Sequence, residues 1–232
     1  MARRSEEAEP VRLSRDRIVR AVVELADAEG IEGLSMRRLA QELDAAPMAL
    51  YRHVAHKDDL IDGMVDLVFD ELEIPTGSGW RTAMRERANG MRQALRRHPW
   101  AVGLMEAGTP GLAGFRHHEA TMRCLRERAG LPFPVAVHAY SAMDSYIYGF
   151  ALQQKALPFR NPDEAVEEAE RRQTAAETVI TPEAFAEAYP YLAEIAQQLT
   201  ASPYDFDTEF AFGLELVLDG VERLRRRKAS KR

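Results

Sequence analysis

One short predicted helix carries side chains suited to reading DNA on its exposed faces. Over residues 47–54, Leu50 and Val54 stand at the i, i+4 spacing of a buried helical face, so the other positions face outward. The outward positions hold Met48, Ala49, Tyr51, Arg52 and His53. The forked guanidinium of an arginine can donate two hydrogen bonds to a guanine edge in the major groove. These residue types at this spacing predict a surface that contacts the base edges of duplex DNA.

Hydrogen-bond donors and cations at two predicted helix starts complement that surface. Ser35 stands at the start of one helix and is followed by Arg37 and Arg38, and Lys57 stands at the start of another. The first turn of a helix presents backbone N–H groups to a phosphate, and basic side chains add positive charge. We therefore expect phosphate contacts beside the base contacts.

The hydrophobic pattern predicts the helices that position these residues. Ile18, Val22 and Leu25 recur at i, i+4 and i+7, which indicates a first helix over about residues 14–29. The helices that follow are predicted over residues 36–43, over 47–54 and from residue 57 onward, with a three-residue break at residues 44–46. Two short helices joined by such a turn, inside a three-helix unit, are typical of a helix-turn-helix.

The remainder of the chain is also predicted to be helical, which makes the fold class all-α. Residues 74–79 (IPTGSG) interrupt the pattern, so the predicted division is a flexible tail at 1–12, a DNA-binding domain at 13–74 and a larger domain at 75–228. Residues 159–181 are charged and hold few large apolar side chains, which predicts a mobile loop, with a helical turn within it as the alternative. The predicted helices of the larger domain span about residues 80–97, 101–106, 112–129, 134–157, 183–200 and 207–227.

Composition excludes several classes of protein. The chain has 232 residues, a formal net charge of −6 and a single cysteine, Cys124, which excludes an intrachain disulfide framework and cysteine-rich zinc modules. Residues 1–57 hold ten basic and ten acidic groups, so the net negative charge belongs to the rest of the chain. No apolar run approaches the roughly 18 residues of a membrane span, and the start resembles no signal peptide. We expect a cytoplasmic protein without a membrane partner.

Three adjacent residues with metal-ligating side chains are His117, His118 and Glu119. Neighbours on a helix point about 100° apart, so we predict no metal site and no cofactor.

Two other functional classes remain open at this point. A helical enzyme whose site assembles only in space is one alternative. A protein-interaction adaptor that uses the surface of Met48 and Tyr51 is the other.

Three stretches form a pattern with a known counterpart: residues 30–43 (GIEGLSMRRLAQEL), residues 49–54 (ALYRHV) and Lys57. This pattern resembles the DNA-binding domain of the TetR family of transcriptional regulators, and residues 212–217 (FGLELV) resemble its tetracycline-repressor branch. The resemblance implies a homodimeric repressor that binds a palindromic operator in double-stranded DNA. It also implies a C-terminal body that dimerises through a four-helix bundle and holds a pocket for a small-molecule inducer.

The resemblance also assigns DNA contacts by position. Residues where the family meets base edges or the nearby backbone are Met36, Arg37, Pro47, Met48, Ala49 and Arg52. Residues where it mostly meets phosphates are Ser35, Arg38, Tyr51, His53 and Lys57. Arg52 occupies a position that varies with operator sequence, so we expect it to set specificity.

The predicted effector pocket departs from that of the tetracycline repressors. These repressors bind a magnesium–drug chelate through an Asn, a Phe, a His and a Glu, whose places are taken here by Arg87, Met91, Met105 and about Gln153. Magnesium prefers hard oxygen ligands, so the effector is predicted to be another, largely apolar molecule. The candidate pocket residues are Arg87, Met91, Met105, Met122, Val137, Tyr140, Ser141, Met143, Asp144 and Ile147. Asp144 is expected either to pair with Arg87 or to meet a cationic or hydroxylated ligand, and ordinary core packing is the alternative for each residue.

The last predicted helix has two apolar stripes, which is typical of a helix packed on two sides. One stripe includes Phe206 and Leu224, and the other holds Phe212, Leu216 and Gly220. We assign the dimer interface to the first stripe, with the helix at 134–157 as its partner; a buried helix in a monomer is the alternative. The residues assigned to the interface are Phe210, Leu214, Val217 and Val221.

Overall fold

The fold is all-α throughout the part of the chain that the structure describes. A computed structural model describes residues 13–73, 79–107, 111–202 and 204–229, and the regular structure within them is helical. The predicted tail at 1–12 and the predicted boundary at residues 74–75 lie outside the described residues. Within these ranges no helix is long and apolar enough to cross a membrane.

The helices follow the predicted order with local differences. A 3₁₀ stretch at Pro99–Gly103 precedes α6, and a π-helical stretch at Cys124–Arg128 continues α7. The α-helices are α1 (Arg15–Glu29), α2 (Met36–Glu42), α3 (Pro47–Leu50), α4 (Lys57–Asp70), α5 (Trp80–Arg97), α6 (Leu104–Ala107), α7 (Leu112–Arg123), α8 (Phe133–Ala156), α9 (Pro162–Glu177), α10 (Pro182–Ala188), α11 (Pro190–Ala201) and α12 (Phe206–Ala229).

The described residues form two compact units. The first unit takes in residues 13–73 together with 93–107 and 111–120, and the second takes in residues 79–92 and the described residues from 121 onward. Both units are therefore discontinuous in sequence, a division that the chain's apolar pattern does not reveal.

The core of the first unit lies where α1 crosses α4. Ile18 and Val22 of α1 and Met64 of α4 are completely buried. The helix α2 packs beside α1, and α3 packs beside α2. Gly63 allows the close crossing, because a Cβ there would lie 3.0 Å from Cγ2 of Val19. Ser14 caps α1 by accepting a hydrogen bond from the N–H of Arg17.

The core of the second unit lies between α8 and α12. The rings of Tyr146 and Phe150 on α8 pack against Phe210 on α12, with centroids 5.4 and 5.1 Å apart. Arg92 inserts its guanidinium over the rings of Phe150 and Phe210. The helices α9 and α10 both pack against α11.

Three predicted elements are wrong in extent. The segment predicted as a loop at 159–181 contains α9, because Asn161 caps its start, Pro162 occupies the first turn and Glu168 pairs with Arg172 one turn on. The helix predicted at 183–200 is broken at Tyr189, since Pro190 begins a new helix. The helix predicted at 101–106 is a 3₁₀ stretch followed by a single turn of α-helix.

The predicted interface residues of α12 also require correction. Phe210, Leu214 and Val221 are buried inside the second unit, and Val217 is half-buried, so this stripe packs on the chain's own core. The exposed large apolar residues of α12 are Phe212 and Leu216 of the second predicted stripe, together with Leu224, which belongs to the first predicted stripe. Apolar periodicity marks both stripes equally, and only the packing partner α8 distinguishes them.

Gly63→Val should destabilise the first unit. The branched side chain must push Val19 or Arg15 aside, and overpacking of this kind costs about 1–3 kcal/mol of unfolding free energy. Gly90→Val is the matched control, because Gly90 has no heavy atom within 4 Å of its Cβ position. Urea unfolding of both variants checks this, and equal losses at the two positions would contradict the close crossing at Gly63.

Glu215→Gln should reduce the loss of stability in acid. Hydrogen bonds from Arg85 and then Arg81 lower the pKa of Glu215 from 4.5 to about 2. A lowered pKa in the folded state stabilises the fold above pH 4.5, and this stabilisation disappears as the pH falls toward 2. Urea midpoints at pH 7 and pH 3 should therefore differ less for the variant than for the parent. An unchanged difference would contradict the role of this pair of arginines.

Candidate nucleic-acid interface and effector site

A capped turn fixes the geometry between α2 and α3. The N–H of Arg38 donates to Oγ of Ser35 at 3.1 Å, which caps α2. After Leu43, Asp44 adopts a φ of +48°, a left-handed conformation that aspartate tolerates. The N–H of Ala45 then donates to the carbonyl of Ala40 at 2.9 Å, which closes the turn. The predicted break at residues 44–46 is therefore the turn of a helix-turn-helix.

Burial on one side of α3 determines which side chains face solvent. Leu50 and Val54 are buried, and so is Leu39 of α2, against which α3 packs. Met48 is 74% exposed and Tyr51 is 46% exposed, although both are large apolar side chains. Of the eleven predicted DNA contacts, the exposed ones are Ser35, Arg37, Pro47, Met48, Tyr51, Arg52, His53 and Lys57, and the half-buried ones are Met36, Arg38 and Ala49.

The helix α3 is shorter than predicted. It ends at Leu50, and the N–H groups of Arg52 and His53 donate to the carbonyls of Ala49 and Leu50, which is the tighter i to i+3 pattern. Arg52 and His53 therefore project from a turn at the C-terminal end of α3. The predicted helix at 47–54 is corrected to one helical turn followed by this tight turn.

The basic side chains of the surface differ in their partners. The guanidinium of Arg38 lies 2.6 Å from Glu29 and 2.9 Å from Glu42, and the hydrogen bond with Glu29, followed by that with Glu42, raises the pKa of Arg38. Among the described residues no ion pair is found for Arg37, Arg52 or Lys57. Arg38 thus ties α2 to α1, while the side chains of Arg37, Arg52 and Lys57 are exposed to solvent. Lys57 lies in the first turn of α4, which the ring of His56 caps by accepting the N–H of Asp59.

The candidate pocket residues divide into several groups. Arg87 and Asp144 form a buried ion pair at 2.7 Å, and the ring of Tyr140 lies 5.3 Å from the guanidinium carbon of Arg87. This pair was one of the two outcomes expected for Asp144. Met91, Met143 and Ile147 are fully buried in the same unit, whereas Met122 is half-buried and Val137 and Ser141 are exposed. Met105 belongs to the first unit.

The donor set does not fit a magnesium–drug chelate. The position of the expected histidine ligand holds Met105, a thioether, and the position of the expected asparagine holds the guanidinium of Arg87, which repels a cation. Magnesium binds carboxylate, carbonyl and water oxygens. Gln153, the counterpart of the glutamate, is exposed.

Sequence reasoning missed a polar cluster around His98 in the first unit. Its Nδ1 lies 2.8 Å from Asp27 and its Nε2 lies 3.3 Å from Glu71, so the ring joins α1 to the end of α4. The indole N–H of Trp100 donates to the same Asp27 at 2.6 Å. Although burial raises the pKa of Glu71, hydrogen bonds from Arg97 and His98 lower it overall. The residues of the cluster are far apart in sequence, so no local signal could have revealed it.

Two family models match the chain. The model described as bacterial regulatory proteins, tetR family, matches residues 18–64, which contain the helix-turn-helix. The model described as tetracyclin repressor-like, C-terminal domain, matches residues 75–225, more than half of the chain. The chain belongs to the TetR family. The predicted family resemblance is confirmed, and this TetR-family protein is accordingly a DNA-binding transcriptional regulator.

Relatives and solved structures support the same assignment. The HTH-type transcriptional repressor DrrR1 of Streptomyces coeruleorubidus is 36% identical to this TetR-family chain, over 91% of the chain and 78% of the relative. The class D tetracycline repressor protein of Escherichia coli is 28% identical, over 91% and 90% of the two chains. The structure of ActR from Streptomyces coelicolor in complex with actinorhodin is 31% identical, with a TM-score of 0.74, and covers 91% of this chain and 97% of that chain.

His98→Ala should destabilise the first unit. The substitution leaves the carboxylates of Asp27 and Glu71 without the ring between them, and loss of one member of such a partly buried cluster costs about 1–3 kcal/mol. His53→Ala, at an exposed position, is the matched control and should cost less than about 0.5 kcal/mol. Thermal and urea unfolding measure both effects, and a neutral His98→Ala would show that the cluster contributes no stability.

Proposed function

We propose that this TetR-family protein is a homodimeric repressor of a palindromic operator, released by a small molecule other than tetracycline–magnesium. The observation that carries the proposal is the exposed surface of α3 and its following turn, held outward by the burial of Leu50 and Val54. Large apolar, aromatic and basic side chains share this surface, and Leu39 anchors it from α2.

The base-reading part of the surface is assigned to α3 and the turn that follows. Met48 and Ala49 project toward a major groove, and Arg52 offers its donors to a guanine edge. Arg37 and Lys57 supply charge for phosphates on either side, and Tyr51 and His53 supply hydrogen bonds. The relative DrrR1 is named a transcriptional repressor, which supports repression rather than activation by this protein.

The proposed dimer uses the exposed stripe of α12 rather than the buried one. Phe212 is 65% exposed and Leu216 is 59% exposed, and Leu152 on the neighbouring α8 is 58% exposed. Large apolar groups in such numbers mark an interaction surface. Because α8 and α12 pack on each other, two copies would bring these faces together as four helices, as the family resemblance implies.

The proposed effector site lies in the second unit, beside Arg87, Tyr140 and Asp144. The solved structure of ActR with actinorhodin supports a small organic effector rather than a metal chelate. Met91, Met143 and Ile147 supply a deformable apolar surround. Tetracycline with magnesium should consequently fail to bind tightly, and calorimetric titration tests this directly.

Arg52→Ala and Lys57→Ala should weaken DNA binding in different ways. Loss of Arg52 removes a base contact, so affinity for the best site should fall by about 1–3 kcal/mol and the preference between bases should relax. Loss of Lys57 removes a phosphate contact, so the affinity for all DNA sites should fall equally. The slope of the logarithm of the binding constant against the logarithm of the salt concentration should fall in magnitude by about 1. Competition binding with single-base variants of the operator, at two salt concentrations, separates the two effects. A uniform loss for Arg52→Ala would contradict its assignment to base reading.

A further inference from the structure

The guanidinium of Arg87 is a buried cation with incomplete hydrogen bonding. Its side chain is 1% exposed, and its one ion-pair partner among the described residues is Asp144, at 2.7 Å from Nη2. Neither Nε nor Nη1 of Arg87 has a hydrogen-bond partner in that part of the chain, and the approach of Nη2 to Asp144 does not form a directed hydrogen bond. Buried donors are almost always paired in native proteins, so these donors indicate a missing partner.

The surroundings of Arg87 supply few polar partners, chiefly the hydroxyl of Tyr140 and the carboxylate of Asp144. Met84 and Met91 lie one turn before and after it on α5, and both are fully buried. Tyr140 presents its ring to the guanidinium, and burial, followed by the negative charge of Asp144, raises the pKa of the Tyr140 hydroxyl. The phenol therefore stays protonated at neutral pH. The cation is thus held in an apolar region with one carboxylate and a few polar atoms.

The two members of the ion pair differ in access. The side chain of Asp144 is 12% exposed, so solvent has access to the pair at the carboxylate, whereas Arg87 is enclosed. Asp144 lies on α8 and Arg87 on α5, so the pair connects these two helices of the second unit. A ligand oxygen that bonds to Arg87 competes with Asp144 and alters this connection.

We propose that the effector is an organic acid, whose carboxylate or other oxyanion accepts hydrogen bonds from Arg87 in competition with Asp144. An oxyanion matches a guanidinium in charge and in donor geometry, and such charge-assisted bonds are the stronger kind. An ammonium group offers only donors and leaves the donors of Arg87 unpaired. A neutral ester is a weaker hydrogen-bond acceptor than a carboxylate. The inference rests on the proposed function only for the location of the effector.

The test compares matched ligands on the full-length protein. The probes are a panel of fused-ring aromatic skeletons, each as its carboxylic acid, its methyl ester and its aminomethyl analogue. Binding is measured by calorimetry and by the shift of the Arg87 Nε–H resonance, assigned with Arg87→Lys. Acids should bind at least about tenfold more tightly than their esters and amines and should shift the resonance.

Two single variants separate this role from a structural one. Arg87→Gln should lower the affinity for the acids about 10- to 100-fold and leave the affinity for the esters nearly unchanged. Asp144→Asn removes the competing carboxylate, so the acids should bind more tightly to this variant and the amines more weakly. The double variant Arg87→Met with Asp144→Leu removes the pair without leaving a lone buried charge, and it should fold but lose the preference for acids.

The outcomes distinguish this inference from the proposed function. Tighter binding of amines, equal binding of acids and esters, or the absence of binding across the panel would overturn the organic-acid assignment, even if the protein binds its operator. Acids that bind through Arg87 without releasing operator DNA would uphold the assignment and contradict induction by release.

Discussion

The complete burial of Leu39 and Leu50 is the constraint on which the orientation of the proposed DNA-reading side chains depends. The helix α3 has a single regular turn, and an isolated helix of that length does not form in water. Its conformation therefore comes from packing against α2 and from the turn at Asp44. Because Leu50 and Val54 point inward, Met48, Tyr51 and Arg52 have no alternative to solvent or a bound partner.

The core of the second unit differs, because it buries charged side chains among apolar and aromatic groups. Arg92 stacks on Phe150 and Phe210, pairs with Asp207 and donates to Gln154, so most of its polar atoms have partners. Arg87 has far fewer. The two buried arginines of α5 therefore differ: Arg92 stabilises the fold through several partners, whereas Arg87, with few, is the proposed ligand contact. An apolar environment makes each unsatisfied donor costly, which is the physical basis of the proposed effector response.

The sequence predicts most helices of this protein because local signals and tertiary packing agree there. Ser14 and Gly30 bound α1, and the periodic stripe of Ile18, Val22 and Leu25 matches its buried face. The prediction fails over residues 159–181, where α9 is stabilised by capping and by pairs such as Glu168 with Arg172 instead of an apolar stripe. It fails at Tyr189 because Pro190 begins a second helix there and interrupts the single helix that the apolar pattern predicts.

The candidate site shows the same limits of sequence reasoning. The exposed set around Arg52 is predictable, since i, i+4 spacing alone places Leu50 and Val54 inward. The length of α3, the pairing of Arg38 with Glu29 and the inward stripe of α12 depend on neighbours distant in sequence. The ring of His98 between Asp27 and Glu71 is of this kind, because its partners are 71 and 27 residues away.

DNA reading by α3 is best tested by selecting bound sequences from a random pool of DNA duplexes at two salt concentrations. We expect enrichment of a palindrome whose half-site centres lie one helical turn, about 34–36 Å, or a multiple of it apart. Affinity should also fall steeply with salt, because several phosphates are neutralised. The absence of enrichment at either salt concentration, or binding that is insensitive to salt, would contradict DNA reading by α3 and its following turn.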